Sequence, residues 1–226
     1  MAGLASRLLI LAVLAPVSVT SQQAAPAQQP VESHVVPLKK FSAEHRFETV
    51  SGDPSIFGAP FVIRIHAEAG YIIMPHTHPV DENIVVVKGS WALGMGERYN
   101  TQALEPMEVG TFGLSPKNMA HFALSKTYTI IQVHGIGPFT TQWVVPVYKL
   151  TDKGVLLQTS ATERGHPAPT SPPGCFVLKV GDRVRGTSGE GVVVEAQCTP
   201  GQLTQYRVEK ADGDHFWAQR EELNTP

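Results

Sequence analysis

The sequence predicts an all-β protein, a barrel of short strands followed by a smaller β unit. Three observations predict it. Twenty glycines and eighteen prolines among 226 residues supply many turns and leave little room for long helices. From Val31 onward the apolar stretches are short, rich in β-branched residues and bounded by Gly or Pro, and none keeps a helical period over any length. Hydrophobic residues make up 42% and charged residues 17%, enough for a packed core.

The first element is a targeting segment. Arg7 precedes the apolar run Leu8 to Val19, which is too short to span a bilayer comfortably and reads as a secretory signal over residues 1–21. Residues 22–30, rich in Gln, Ala and Pro, read as a disordered leader. The expected destination is therefore the periplasm or the outside of the cell, with no stable membrane anchor, because no cysteine follows the apolar run.

Residues 31–159 form the expected barrel. Its strands are read at Phe61 to Ala67, a segment holding His76 and His78, Asn83 to Lys88, Trp91 to Met95, Thr111 to Leu114, His121 to Leu124, Tyr128 to Val133 and Val144 to Leu150. Residues 160–174, with prolines, glycines and small polar residues, have linker composition. Residues 175–226 restart the strand pattern at Val177 to Arg185, Gly191 to Ala196, Gln205 to Lys210 and His215 to Gln219. Tyr206, Phe216 and Trp217 are expected to fill the small core of this tail. The two cysteines, Cys175 and Cys198, flank its first hairpin and can pair in an oxidising compartment. The formal charge of −2, with acidic and basic residues interspersed, excludes a nucleic-acid footprint.

The chemistry lies in the barrel. His76 and His78 are separated by one residue, so in an extended strand both imidazoles face one way. Glu82 shares their parity and joins them if residues 79–81 keep the register or turn locally, whereas Asp81 falls on the opposite parity. A second segment, Gly110, Pro116 and His121, brings a third imidazole to the start of a later strand. Three imidazoles and a carboxylate are a ligand set for one divalent transition metal such as Fe, Mn or Zn. On an octahedral ion they leave two positions for water, substrate or dioxygen.

These segments resemble the cupin superfamily. Gly70-x5-His76-x-His78-x3-Glu82-x6-Gly89 is similar to the first cupin motif at every fixed position, and Gly110, Pro116 and His121 are similar to the second. The second motif departs from the family at Asn118, usually glycine, and at Ser125, usually asparagine. The resemblance implies a cupin double-stranded β-helix (jelly roll), with the metal near its mouth and a homodimer as the common assembly. The tail resembles an SH3-like or Tudor-like barrel through Val180 to Val184 and the later Gly-Glu-Gly. Parity further places Met74 in the barrel beside the metal, with Trp91, Met95 and His134 as candidate pocket residues. His134 is a candidate acid–base group or support for the ligands, and a hydrogen-bonded core histidine otherwise.

Cupins with this ligand set include dioxygenases, isomerases, decarboxylases and hydrolases, so the resemblance implies a metal-dependent enzyme, oxygenase-like or isomerase-like, acting on a small organic molecule. The alternative is a non-catalytic module that binds or senses a small ligand. All four ligands precede Cys175, so removal of the tail is expected to leave the site intact.

Overall fold

A computed structural model describes residues 35–39, 46–160, 165–168 and 170–225. The chain divides into two compact units, Met1–Pro37 and Leu38–Pro226. Of the first, residues 35–37 are described and carry no secondary structure. The expected signal and leader lie outside the described residues, and so do residues 161–164 of the expected linker.

The second unit is built from β1 (Phe47–Gly52), β2 (Pro60–Ala67), β3 (Ile72–Thr77), β4 (Glu82–Lys88), β5 (Trp91–Met95), β6 (Leu104–Met107), β7 (Phe112–Ser115), β8 (His121–Ser125) and β9 (Thr129–Ile136). These are followed by β10 (Gln142–Thr151), β11 (Gly154–Ser160), β12 (His166–Pro167), β13 (Arg183–Gly186), β14 (Gly189–Thr199), β15 (Leu203–Glu209) and β16 (His215–Gln219). The helical elements among the described residues are two short 3-10 turns, Thr101–Ala103 and Arg220–Glu222.

The pairing shows how the barrel winds. β5 pairs β6, β4 pairs β7, β3 pairs β8 and β2 pairs β9, all antiparallel, so the chain from β2 to β9 is one long hairpin folded about the β5–β6 turn. That ribbon coils on itself, and successive turns join where β9 pairs β4 and β8 pairs β5. The result is a double-stranded β-helix with two facing sheets, β1-β2-β9-β4-β7 and β10-β3-β8-β5-β6. Its interior is packed by Phe61, Ile63, Ile65, Ile84, Val86, Trp91, Met107, Ala123, Ile131 and Val133.

Four strands escape sequence reading, β1, β6, β11 and β12, the first two for clear physical reasons. β1 buries Glu48 rather than an apolar side chain, held 3.1 Å from Lys39 Nζ and 3.9 Å from Arg64, so it shows no hydrophobic alternation. β6 contains Pro106 and is tolerated because it is the outermost strand of its sheet, where a missing N–H costs no ladder bond.

The tail is continuous with the barrel. β14 pairs β10 through Tyr148–Cys198, Lys149–Gln197 and Leu150–Ala196, which extends the second sheet to β15 and β16. β13 pairs β14, and a bridge from Arg185 to Asn224 closes these strands around Leu178, Val184, Val193, Tyr206, Val208 and Phe216. Residues 177–182, expected as part of a strand, are turn and loop, with the Gly181 N–H bonded to the Val193 carbonyl. A third cluster, Ile72, Met74, Val147 and Leu203, seals the barrel sheet against the tail.

Candidate metal centre

His76 lies near the end of β3, His78 just beyond it, Glu82 opens β4 and His121 opens β8. His76 and His121 are register partners across the β3–β8 ladder, which is why residues far apart in sequence meet. Glu82 belongs to the opposite sheet. The chain crosses between sheets in residues 78–81, so Glu82 arrives through a local turn and not by continued register. Asp81 is exposed, and its Oδ1 accepts the Lys117 N–H at 2.8 Å, which ties that turn to the loop before His121. Asn118 in that loop has φ 60°, a left-handed conformation that asparagine tolerates, so it can stand where glycine is usual.

The candidate ligand nitrogens of His76, His78 and His121 lie within 4.8 Å of one another, and all three side chains are buried. Glu82 Oε2 is 3.1 Å from His121 Nε2 and 3.7 Å from His78 Nε2. Each ring is oriented by a backbone carbonyl. Nδ1 of His76 donates to Met74 O at 2.7 Å, that of His78 to Thr140 O at 2.8 Å and that of His121 to Met119 O at 3.0 Å. A carbonyl only accepts, so the proton sits on Nδ1 and each neutral ring keeps a lone pair on Nε2.

This arrangement fits a metal ion. Nε2 of His78 and of His121 are buried with no hydrogen-bond partner. His121 Nε2 and Glu82 Oε2 are then two acceptors 3.1 Å apart. Such a pair is stable only with a cation between them, either a second ring proton or a metal ion. Burial, with the neighbouring His121 and His78, holds the His76 imidazole well below its usual pKa. Burial likewise lowers His78, against the opposing pull of Glu82 and the Thr140 carbonyl. For Glu82 burial pushes upward, but His121, His78 and Ser115 outweigh it and keep the carboxyl below its ordinary value. Neutral imidazoles beside an ionised carboxylate are the protonation states that a divalent transition metal requires.

The cluster opens on a cavity of about 150 Å³ inside the barrel. Its apolar wall comes from both sheets and includes Ile65, Ile73, Ile84, Leu93, Ala123 and Ile131. Phe139 stacks on His78 at 4.2 Å, and Trp143 meets His76 edge-on at 5.7 Å. Trp91, a candidate from sequence, lines the cavity and is 1% exposed.

Three other candidates lie elsewhere. Met74 packs in the cluster between the barrel and the tail, because the β3–β8 register shifts between Ile73 and His76. That bulge reverses the parity, so Ile73 faces the cavity with His76 and Met74 faces away. Met95 is 39% exposed at the outer end of β5 and is absent from the cavity wall. His134 alternates with the inward Ile131 and Val133 on β9 and so falls on the outer face, where its carbonyl accepts from Asn83 at 3.0 Å.

Sequence reading missed Arg46, Tyr71, Phe139, Trp143, Lys149 and Gln158 as cavity residues. None is a fixed position of either motif: they sit before β1, at the β2–β3 turn, in the β9–β10 loop and on β10 and β11, and nothing in their local spacing marks them. Cys175 and Cys198 are joined in a disulfide with Cα atoms 5.7 Å apart. Tyr206, Phe216 and Trp217 are all buried.

Neither a family model nor a curated protein matches the chain. Among solved structures it is similar to an RmlC-like cupin protein from Desulfovibrio desulfuricans, at 19% identity over 47% of this chain and 96% of that one, TM-score 0.37. A Klebsiella pneumoniae protein with a double-stranded β-helix domain is 15% identical over 53% of this chain and 98% of that one, also at 0.37. A salicylate 1,2-dioxygenase from Pseudaminobacter salicylatoxidans is 14% identical over 36% of this chain and 22% of that one, at 0.32. At such identities and scores the likeness bears on no activity, and the fold stands on its own strand pairing as a double-stranded β-helix.

Proposed function

We propose that this is a metal-dependent protein of the cupin type, working as an oxygenase- or isomerase-like enzyme on a small organic molecule. The observation that carries the reading is the convergence of three buried imidazoles and Glu82 on one largely apolar cavity, with two Nε2 atoms left without a partner. His76, His78, His121 and Glu82 would hold one divalent ion. When bound, such an ion supplies Lewis-acid polarisation of a substrate oxygen or activation of water or dioxygen. The Met74, Thr140 and Met119 carbonyls keep the rings in the ligating tautomer, and the aliphatic wall excludes bulk water. Glu82 acts as a ligand, since its Oε2 stands 3.1 and 3.7 Å from the Nε2 atoms of His121 and His78.

The test is metal analysis of protein purified without added metal, followed by oxygen-uptake and product screens against small phenols and diketones. The expected result is close to one ion per chain and turnover that scales with occupancy. Saturable binding of an unchanged ligand would make the chain a binding or sensing module, and absence of metal would remove the reading altogether. Export is part of the proposal. The apolar segment Leu8 to Val19 suggests it, the Cys175–Cys198 disulfide suits an oxidising compartment, and mass analysis of the mature N-terminus tests it.

A further inference from the structure

We propose that the cavity takes a small organic carboxylate, gripped by Arg46 and Lys149 at the end away from the metal ligands. The inference rests on the reading of this cavity as the ligand site. Both cations line it, and a chain of contacts through Tyr71 and Gln197 links their positions. The Arg46 guanidinium lies over the Tyr71 ring at 5.1 Å. Tyr71 Oη donates to Gln197 Oε1 at 3.4 Å, and Gln197 is the register partner of Lys149 across β10 and β14. The metal end is elsewhere on the same strands. Trp143 is the register partner of His76, six residues before Lys149 on β10, and Tyr71 lies five residues before His76 on the β3 side. At the rise of an extended chain these separations amount to about 16–20 Å.

The charge balance then selects the ligand. Glu82 is the one carboxylate on the cavity wall among the described residues, and it faces the imidazoles. Glu68 is near enough to Arg46 to feel its charge, but Arg207 and the Trp217 indole occupy both its oxygens. No carboxylate of the described residues lies within ion-pair distance of Arg46 or Lys149. Two residues of the wall, Trp91 and Trp143, also carry indole N–H groups that are buried without an acceptor. Two cations and two unpartnered donors around an aliphatic and aromatic chamber ask for a ligand with an apolar body, acceptor oxygens and negative charge.

The experiment titrates full-length protein, metal-free and zinc-loaded, with phenylacetate and its neutral isostere phenylacetamide, read by tryptophan fluorescence and calorimetry. The carboxylate should bind about tenfold tighter in both forms, the gain expected of charge-assisted hydrogen bonds. In Arg46→Gln combined with Lys149→Gln the ratio should fall toward one with zinc content unchanged, and Arg46→Lys with Lys149→Arg should restore it. Equal affinities in the parent protein, or no binding of either probe, would overturn the proposal. So would a preference that survives the glutamine substitutions and vanishes with the metal, because the carboxylate would then sit on the ion. Loss of zinc binding with the preference intact would overturn the metal-dependent reading and leave this one standing.

Discussion

Each of the three histidines spends Nδ1 on a backbone carbonyl within its own turn or the neighbouring loop, so the ring cannot rotate to satisfy Nε2 elsewhere. The donors are fixed before any ion arrives, which is what makes the set selective for loss of a single member. His76→Ala and His121→Ala are each expected to lower metal affinity by more than about 100-fold, since removing a ligand exceeds the cost of disturbing its support. Asp81→Ala is expected to leave stoichiometry unchanged, because Asp81 only accepts the Lys117 N–H and lies on the exposed side of the turn. Elemental analysis of the three variants checks both. If Asp81→Ala lost the metal and Glu82→Ala kept it, the placement of the carboxylate ligand would be wrong.

At the scale of elements, the β2–β3 turn is the joint between barrel and tail. Gly70 has φ +80°, and a Cβ there would stand 2.0 Å from the Trp217 carbonyl oxygen. The Trp217 N–H bonds the Ala69 carbonyl at 2.8 Å in the same place. Gly70→Ala should therefore cost more than about 2 kcal/mol, combining left-handed strain with a backbone clash. Gly110 has a similar φ of +88° but open space around it, so Gly110→Ala should cost only the conformational part, about 1 kcal/mol. Urea unfolding of the pair separates the two effects.

Glu68, beside Gly70, gives the joint a pH dependence. Burial pushes its carboxyl upward, but Arg207, held at 2.6 and 2.8 Å, the Trp217 indole and the charge of Arg46 together bring it below the ordinary 4.5. A depressed carboxyl contributes stability that is complete above the unfolded value and lost as pH falls through the folded one. Glu68→Gln should cost about 3 kcal/mol at neutral pH, as expected for stranding Arg207 beside a neutral amide. The gap between parent and variant should close progressively below pH 4.5. A constant gap across the acid range would show that Glu68 acts through packing alone.

For the whole molecule, the tail is structural support for the site. Ile72 in β3 exchanges both backbone groups with one side chain, its N–H to Gln205 Oε1 at 2.9 Å and its carbonyl from Gln205 Nε2 at 2.7 Å. Ile72, Met74 and Val147 are buried only with the tail in place, each worth roughly 2 kcal/mol of burial. These contacts argue against the expectation that removing the tail leaves the site intact. Truncation before Cys175 should expose that face, leave one edge of β10 unpaired at Tyr148 to Leu150 and lose cooperative unfolding together with metal retention. Opening the Cys175–Cys198 bridge, with a sequence separation of 23, should be milder: Cys175→Ser with Cys198→Ser loses about 3 kcal/mol and keeps the metal. Denaturant midpoints and metal content of the two constructions distinguish support by the tail from support by the staple.

The all-β class and the four converging residues were legible in the sequence, because both depend on short-range rules. Turn residues recur at strand length, and two histidines one residue apart share a face. Glu82 and His121 were added by parity and turn spacing and strengthened by the resemblance, but their meeting with His76 is a matter of sheet crossing and ladder register. The tertiary structure alone decided which side chains share the cavity. A single bulge in β3 turned Met74 out and Ile73 in, the alternation of β9 turned His134 out, and the end of β5 left Met95 at the surface. It also brought Arg46, Trp143 and Lys149 to the chamber and fused the tail to the barrel through β10 and β14. Local periodicity holds only while a strand stays regular, and contacts between strands distant in the chain leave no mark on either segment's own spacing.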